Sequence, residues 1–261
     1  MDSGNVGKRI LGGTRLVFLW ILLYGGLLVL WQELTAREIL PPFFFGRPLA
    51  VWQQLVEWFV SGTIWEHLWV TLIETLLSFV AGIILGLAAG FWLALDRTSS
   101  ALMSPAIVSF NSMPRVVIAP IFTLWFGLGI WSKVAFSTSL VFFIIFFNVY
   151  RGVREISPVI LANARMIGAN RRQLLRTVYL PSAMSWVFTS LHTAVGMAFV
   201  GVVVSEYLGS RKGVGNLILQ AEGVFDINGV FAGVVVLTGC AIVLDLMVTL
   251  VERRLLVWQP R

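Results

Sequence analysis

The sequence predicts an all-α integral membrane protein, one domain of six transmembrane helices. Two observations carry that expectation. Hydrophobic residues make up 58% of the 261 residues, and mean hydropathy is +0.88. A soluble domain is about 45–50% apolar, so this chain has more apolar surface than one aqueous core can hide. Charged residues, only 12% of the chain, flank long apolar runs instead of interrupting them. Such runs cross a bilayer as helices, and none has the in/out alternation over about ten residues of a membrane barrel.

Taken in order, residues 1–15 form an N-terminal segment, 16–258 the transmembrane domain and 259–261 a tail. Lys8, Arg9 and Arg15 precede the run Leu16–Trp31. No small-residue cleavage pattern follows it, so a retained first helix is expected and not a cleaved signal. Gln32–Glu66 is mixed, carries Pro41, Pro42 and Pro48, and is expected outside, with a short amphipathic helix near Trp52–Val60. Five more spans are expected at Leu68–Leu95, Met103–Leu128, Trp131–Tyr150, Ser185–Ser205 and Gly229–Val251. Each covers a hydrocarbon core of ~30 Å at about 1.5 Å per residue. The third is interrupted by Pro105, Pro114 and Pro120.

Charge orients this map. Lys8, Arg9, Arg15, Arg97, Arg151, Arg154, Arg165, Arg171, Arg172, Arg176, Arg253, Arg254 and Arg261 fall inside. Arg37, Arg47, Lys133, Arg211 and Lys212 fall outside, and Arg115 lies within a span. The bias obeys the positive-inside rule, so both termini are expected in the cytoplasm. The net charge of +6 is explained by topology, and no nucleic-acid partner is expected. Gly82, Gly86 and Gly90 recur every four residues on one face of the second span, and Gly229 and Gly233 repeat the pattern in the last. Such seams serve subunit contacts and packing within a chain equally well. The lone Cys240, in an apolar run, is expected to be a packing residue.

Several chemistries have no motif here. There is no G-x-x-x-x-G-K-[ST] phosphate loop, no H-E-x-x-H and no G-x-S-x-G elbow. The two histidines, His67 and His192, are too few and too distant in sequence to suggest a metal site. No catalytic residue, metal or bound cofactor is expected, and the chain is not expected to be an enzyme. Polar residues at membrane depth carry more information, because an intramembrane charge is expensive and faces a partner or a pathway. Ser112, Pro114 and Arg115 form a polar, proline-broken patch, and Asn148, His192 and Glu206 are further pathway candidates. Arg115 either faces a pathway and attracts an anion or snorkels to the headgroups. Glu74 and Asp245 read as structural, with Asp245 expected to pair with Arg253, about two helical turns on, or with a basic residue on a neighbouring helix. Glu206 opens a stretch in which Gly209, Gly213 and Gly215 permit a re-entrant turn.

One cytoplasmic segment, "NARMIGANRRQLLRTVYLP" (Asn163–Pro181), is basic and contains no acid. Gly168 is followed by nine residues and then Val178-Tyr179-Leu180-Pro181. That spacing, between the fourth and fifth spans, resembles the EAA loop of ATP-binding-cassette importer permeases, in which E-A-A precedes the glycine and I-x-L-P closes the motif. Here the triplet is Ala162-Asn163-Ala164, which lacks the glutamate. "PRVVIAPIFTLWFGLGIWSK", "FFIIFFNVYRGV", "SEYLGSRKGVGNLI" and "LVERRLLVW" resemble the branch that carries nitrate, sulfonates, taurine and bicarbonate, a group that also includes transporters of pyrimidine vitamin precursors and aromatic acids.

The resemblance implies a type I importer fold of the bacterial inner membrane. It implies two permease copies, a homodimer being expected, and two cytoplasmic ATPase subunits carrying the ATP and Mg. An extracytoplasmic solute-binding protein would deliver a small, anionic solute. It further implies that loop 151–182 seats a short helix on the ATPase, with Ala162, Asn163, Ala164, Arg165, Gly168, Ala169, Arg171, Arg172, Leu180 and Pro181 as the coupling residues. A helix from about Ile160 to Gly168 is expected, with Gly168 turning the chain and Pro181 stopping the second helix. The arginines suit acidic groups of the ATPase or anionic headgroups alike. Two other classes compete. A secondary transporter should show internal repeats and an acidic coupling site, and no repeat is evident. A non-transporting scaffold would have no use for the broken, polar third span.

Overall fold

The computed structural model describes residues Ser3–Leu255, and every regular element among them is helical. In chain order these are α1 (Ser3–Ala36), α2 (Pro42–Phe45), α3 (Pro48–Ser61), α4 (Thr63–Leu95), α5 (Arg97–Ser112), a 3-10 turn (Arg115–Ile118) and α6 (Ala119–Phe126). There follow α7 (Ile130–Arg154), α8 (Pro158–Met166), α9 (Arg171–Leu174), a π turn (Leu175–Tyr179), α10 (Leu180–Leu208), α11 (Val214–Gly223) and α12 (Ile227–Leu255). The tail 259–261 lies outside the described residues. Thr63–Leu95, Ile130–Arg154, Arg171–Leu208 and Ile227–Arg254 are long and apolar enough to cross a membrane. Leu22–Ala36 and Arg115–Phe126 are shorter apolar helices.

The bundle is organised around α7, which packs α4 on one side and α10 on the other. The α4 contact depends on the glycine seam. A Cβ added at Gly82, Gly86 or Gly90 would lie 2.5, 2.8 and 2.8 Å from Val141, Ile145 and Val149 of α7. The seam therefore serves packing within the chain, where close helix approach maximises van der Waals contact in a solvent as apolar as the side chains themselves. Opposite, the same valines and isoleucine meet Ala183, Val187, Leu191 and Ala194 of α10. A second cluster joins Val51 and Leu55 of α3 to Val214 and Leu217 of α11 and to Ala232, Val236 and Cys240 of α12. Gly233 belongs to that contact, since a Cβ there would lie 2.4 Å from Ile218.

The segment expected as the third span, Met103–Leu128, is not one helix. Asp96 caps α5 by accepting from the N–H groups of Thr98 and Ser99. The helix then passes through Pro105 and ends at Ser112. Met113 is extended (ψ 132°), and Pro114 follows with ψ 90°. Proline bars the α conformation from the residue before it and offers no N–H, so the break falls here. Pro105 and Pro120 do not interrupt helices, contrary to expectation: Pro105 is accommodated inside α5, and Pro120 sits in the first turn of α6, where no N–H is needed.

The amphipathic helix expected at Trp52–Val60 is the longer α3. Besides burying Val51 and Leu55 it exposes Trp52, Val56, Phe59 and Val60. Its neighbour α1 is tied down at its C-terminal end, where Trp31 Nε1 donates to Phe45 O (3.2 Å) and Gln32 Oε1 accepts from Leu49 N (3.1 Å).

Candidate coupling site and pathway residues

The hairpin between α7 and α10 is built from three capping motifs in succession. Ser157 caps α8, its Oγ accepting from Val159 N (3.3 Å), with Pro158 in the first turn. At the other end Gly168 has φ +85°. Gly168 N donates to Arg165 O and Ala169 N to Ala164 O, both at 3.0 Å. This pair of bonds is a Schellman motif, which needs a left-handed residue at the position of Gly168. A Cβ on Gly168 would meet nothing within 4 Å, so the need is conformational and not steric. Asn170 then starts α9 in a full capping box: its Oδ1 accepts from Gln173 N (2.9 Å), and Gln173 Oε1 accepts from Asn170 N (2.8 Å). The spacing N-R-R-Q carries that signal in the sequence.

Pro181 does not stop the second helix. The stretch from Arg171 to Leu208 is continuous, and the π turn immediately precedes Leu180-Pro181. Widening to i→i+5 bonding, with Leu180 N donating to Leu175 O, relieves the clash and the lost donor that proline brings to a regular helix. The base of the hairpin is fixed. Ser182 Oγ donates to Gly152 O (3.1 Å), and a Cβ on Gly152 would lie 2.6 Å from the Trp186 ring. The tip is not packed: α8 has no buried residue, and Met166 and Ile167 are 78% and 87% exposed. Ala162, Asn163, Arg165, Arg171, Arg172 and Leu180 are exposed too, while Ala164 and Ala169 are half-buried. The expected coupling residues thus sit together on one rigidly based hairpin, apart from Leu180 and Pro181, which belong to α10.

The pathway candidates are scattered. Pro114 makes the break described above, and Arg115 places its guanidinium 4.5 Å from the centre of the Phe143 ring on α7. The side chain of Ser112 lies outside the described residues. Asn148 folds back, donating Nδ2 to Ile144 O at 2.8 Å. His192 is held between two acids of α12, Asp245 (2.6 Å) and Glu252 (3.0 Å). Of the two partners expected for Asp245, it takes the one on a neighbouring helix, His192, and not Arg253, whose Cα is about 12 Å farther along α12 at 1.5 Å per residue.

Glu206 does not face an open path. It is fully buried, accepts from Thr71 Oγ1 (2.7 Å) and Gly215 N (2.8 Å), and fills the space where a Cβ of Gly213 would be. Gly213 has φ +115°, and His67 Nδ1 lies 2.9 Å from its carbonyl. The glutamate is the anchor of the turn between α10 and α11. Lys133 is 1% exposed. Its Nζ donates to Leu128 O (2.5 Å) and Gly129 O (3.0 Å), within the field of Glu74 and Glu206. Glu74, Glu206 and Lys133 are all buried, three ionisable side chains whose burial the sequence does not announce together. The intramembrane Glu74 was the available signal, because such a charge requires a partner.

Comparison with known proteins agrees with this architecture. Residues 78–257 match the family model "Binding-protein-dependent transport system inner membrane component". A formylaminopyrimidine transport permease protein, ThiX, of Halalkalibacterium halodurans is 34% identical, covering 90% of this chain and 93% of its own. The putative aliphatic sulfonates transport permease protein SsuC of Bacillus subtilis is 27% identical over 92% and 87%. An inward-facing structure of the MetNI methionine ABC transporter superposes with a TM-score of 0.63 at 19% identity, over 74% of this chain and 97% of that one. A probable ABC transporter permease protein of Haemophilus influenzae is 32% identical over 86% of this chain and 91% of its own. With the family model covering most of the chain, the protein belongs to the binding-protein-dependent transport system inner membrane component family and is a permease subunit of an ABC importer.

Proposed function

We propose that two copies of this chain form the translocation pathway of an importer in a bacterial inner membrane. Each docks a separate cytoplasmic ATPase through α8 and its turn at Gly168, and a binding protein delivers solute on the opposite side. Both termini then lie in the cytoplasm, and ATP and Mg bind the ATPase. The observation that carries this reading is the contrast within the hairpin. Its base is clamped to α7 and α10, while α8 has no fully buried residue and, with Ile167 just after it, presents Val159, Ile160 and Met166 outward. Exposed apolar side chains beside basic ones, beyond the membrane spans, suit a protein groove. A rigid base lets a push on α8 move α7 and α10 together. Ile160→Cys is expected to crosslink to the ATPase in ATP-dependent fashion, whereas a cysteine at Trp52 on α3 is not. Equal crosslinking at the two sites contradicts the docking role.

For the solute, the reading is a small anion of the sulfonate class, supported by the SsuC relative and by Arg115 beside the break at Pro114. A second reading, a pyrimidine-type heterocycle, is favoured by the higher identity to ThiX. A binding screen on the partner solute-binding protein separates them: tight binding of alkanesulfonates supports the first, and of formylaminopyrimidine the second.

A further inference from the structure

A groove of about 630 Å³ runs between the end of α4 and the α8–α9 hairpin. One wall is apolar. Trp92 and Leu95 form it from the last turn of α4, with Leu175 and Tyr179 of the π turn opposite. Trp92 is 62% exposed at the end of a 33-residue apolar helix. The rim is basic, formed by Arg165, Arg171 and Arg172. All three are exposed, and none forms an ion pair among the described residues.

Asp96 is the acid on this rim, and it is already engaged as the cap of α5. It accepts from the Ser99 hydroxyl, Ser99 N (3.1 Å) and Thr98 N (3.4 Å). The Ser99 bonds hold its carboxyl below the ordinary range, with Arg171 adding a smaller effect. Three arginines against one aspartate leave the groove with a formal surplus of two positive charges.

We propose that this groove binds an anionic phospholipid of the inner leaflet, its phosphate on the three arginines and an acyl chain along Trp92 and Leu95. The proposal rests on the reading that the hairpin faces the cytoplasm. Guanidinium groups match phosphate oxygens two at a time. Tryptophan and tyrosine favour the depth of the headgroups, and basic pockets beside cytoplasmic helix ends select anionic lipid. An acidic protein partner would satisfy the arginines and leave the Trp92–Leu95 wall uncovered at the hydrocarbon boundary. A lipid satisfies both. Because the groove joins α4 to the hairpin, a bound lipid also fixes the angle at which α8 is presented.

Native mass spectrometry of the full-length permease, with and without its ATPase, tests this by titration with phosphatidylglycerol and phosphatidylcholine of equal chain length. The wild-type chain is expected to prefer phosphatidylglycerol by at least tenfold. Arg171→Gln with Arg172→Gln lowers phosphatidylglycerol affinity by about 30-fold and phosphatidylcholine affinity by clearly less, because its choline ammonium already offsets the phosphate charge. Trp92→Ala weakens both lipids, which gives a second readout if the double variant folds poorly. Unchanged phosphatidylglycerol affinity in both variants overturns the site. So does a double variant that keeps lipid and loses the ATPase, because the arginines then serve the protein partner. Lipid affinity is read without transport, so failure of coupling and failure of this site give different results.

Discussion

Gly168→Val is expected to reduce ATP-driven uptake to the background of empty vesicles while the chain stays folded in the membrane. At φ +85° a non-glycine residue costs about 1–2 kcal/mol, and a β-branched residue is the worst fit. The variant cannot hold the Schellman bonds from Gly168 N and Ala169 N, so α8 either runs on or unwinds and loses its angle to α9. Stability of the bundle is spared, because α8 contributes no fully buried residue to it. Gly168→Asn is expected to keep most of the uptake, since asparagine tolerates the left-handed region. Uptake and ATPase rates in proteoliposomes, with a melting curve for each variant, check the pair. Uptake by the valine variant within twofold of wild type contradicts the coupling role.

Gly86→Leu is expected to destroy the folded protein. A Cβ there meets Ile145 Cβ at 2.8 Å and the Phe142 carbonyl at 2.9 Å, so the backbone of α7 itself is in the way. Flexible side chains can move aside, but a carbonyl in the central helix moves only with the helix. Overpacking a dense core costs typically 1–3 kcal/mol, and here the whole side chain must be housed in a seam with no room for its first carbon. The expected result is loss of monodisperse protein in mild detergent, with residual protein melting at least several degrees lower. Gly239→Leu, where a Cβ meets nothing within 4 Å, is the matched control. Equal yield and melting temperature for both variants contradicts the packing assigned to the seam.

The parts of this fold legible in the sequence are those specified locally. Pro114 announces the break in the third span, because proline acts on its own residue and the one before it. Gly168 announces the turn at the tip of the hairpin, and the N-R-R-Q capping box beside it was open to the same local reading, because both motifs close within six residues. What was not legible depends on distant partners. The sequence assigns Lys133 a side of the membrane but not its burial, which arises where α7 packs against α4 and α10. Glu206 reads as a pathway acid until Gly213 and Gly215 wrap it, and His192 meets Asp245 only because α10 and α12 are adjacent. The π turn before Pro181 is a compromise between local proline chemistry and a helix that tertiary packing keeps continuous, and no spacing rule reports it. The glutamate absent at Ala162 leaves an exposed alanine on an unburied helix, so its loss disturbs no internal contact.

The central claim is that this chain moves solute only when a separate ATPase acts on it. Its most direct test is uptake into proteoliposomes containing the permease alone, the permease with its ATPase, and both with the loaded binding protein, each with and without ATP. Accumulation is predicted only in the complete system with ATP, and imposed proton or sodium gradients are predicted to drive none. Accumulation by the permease alone under an ion gradient would contradict the account.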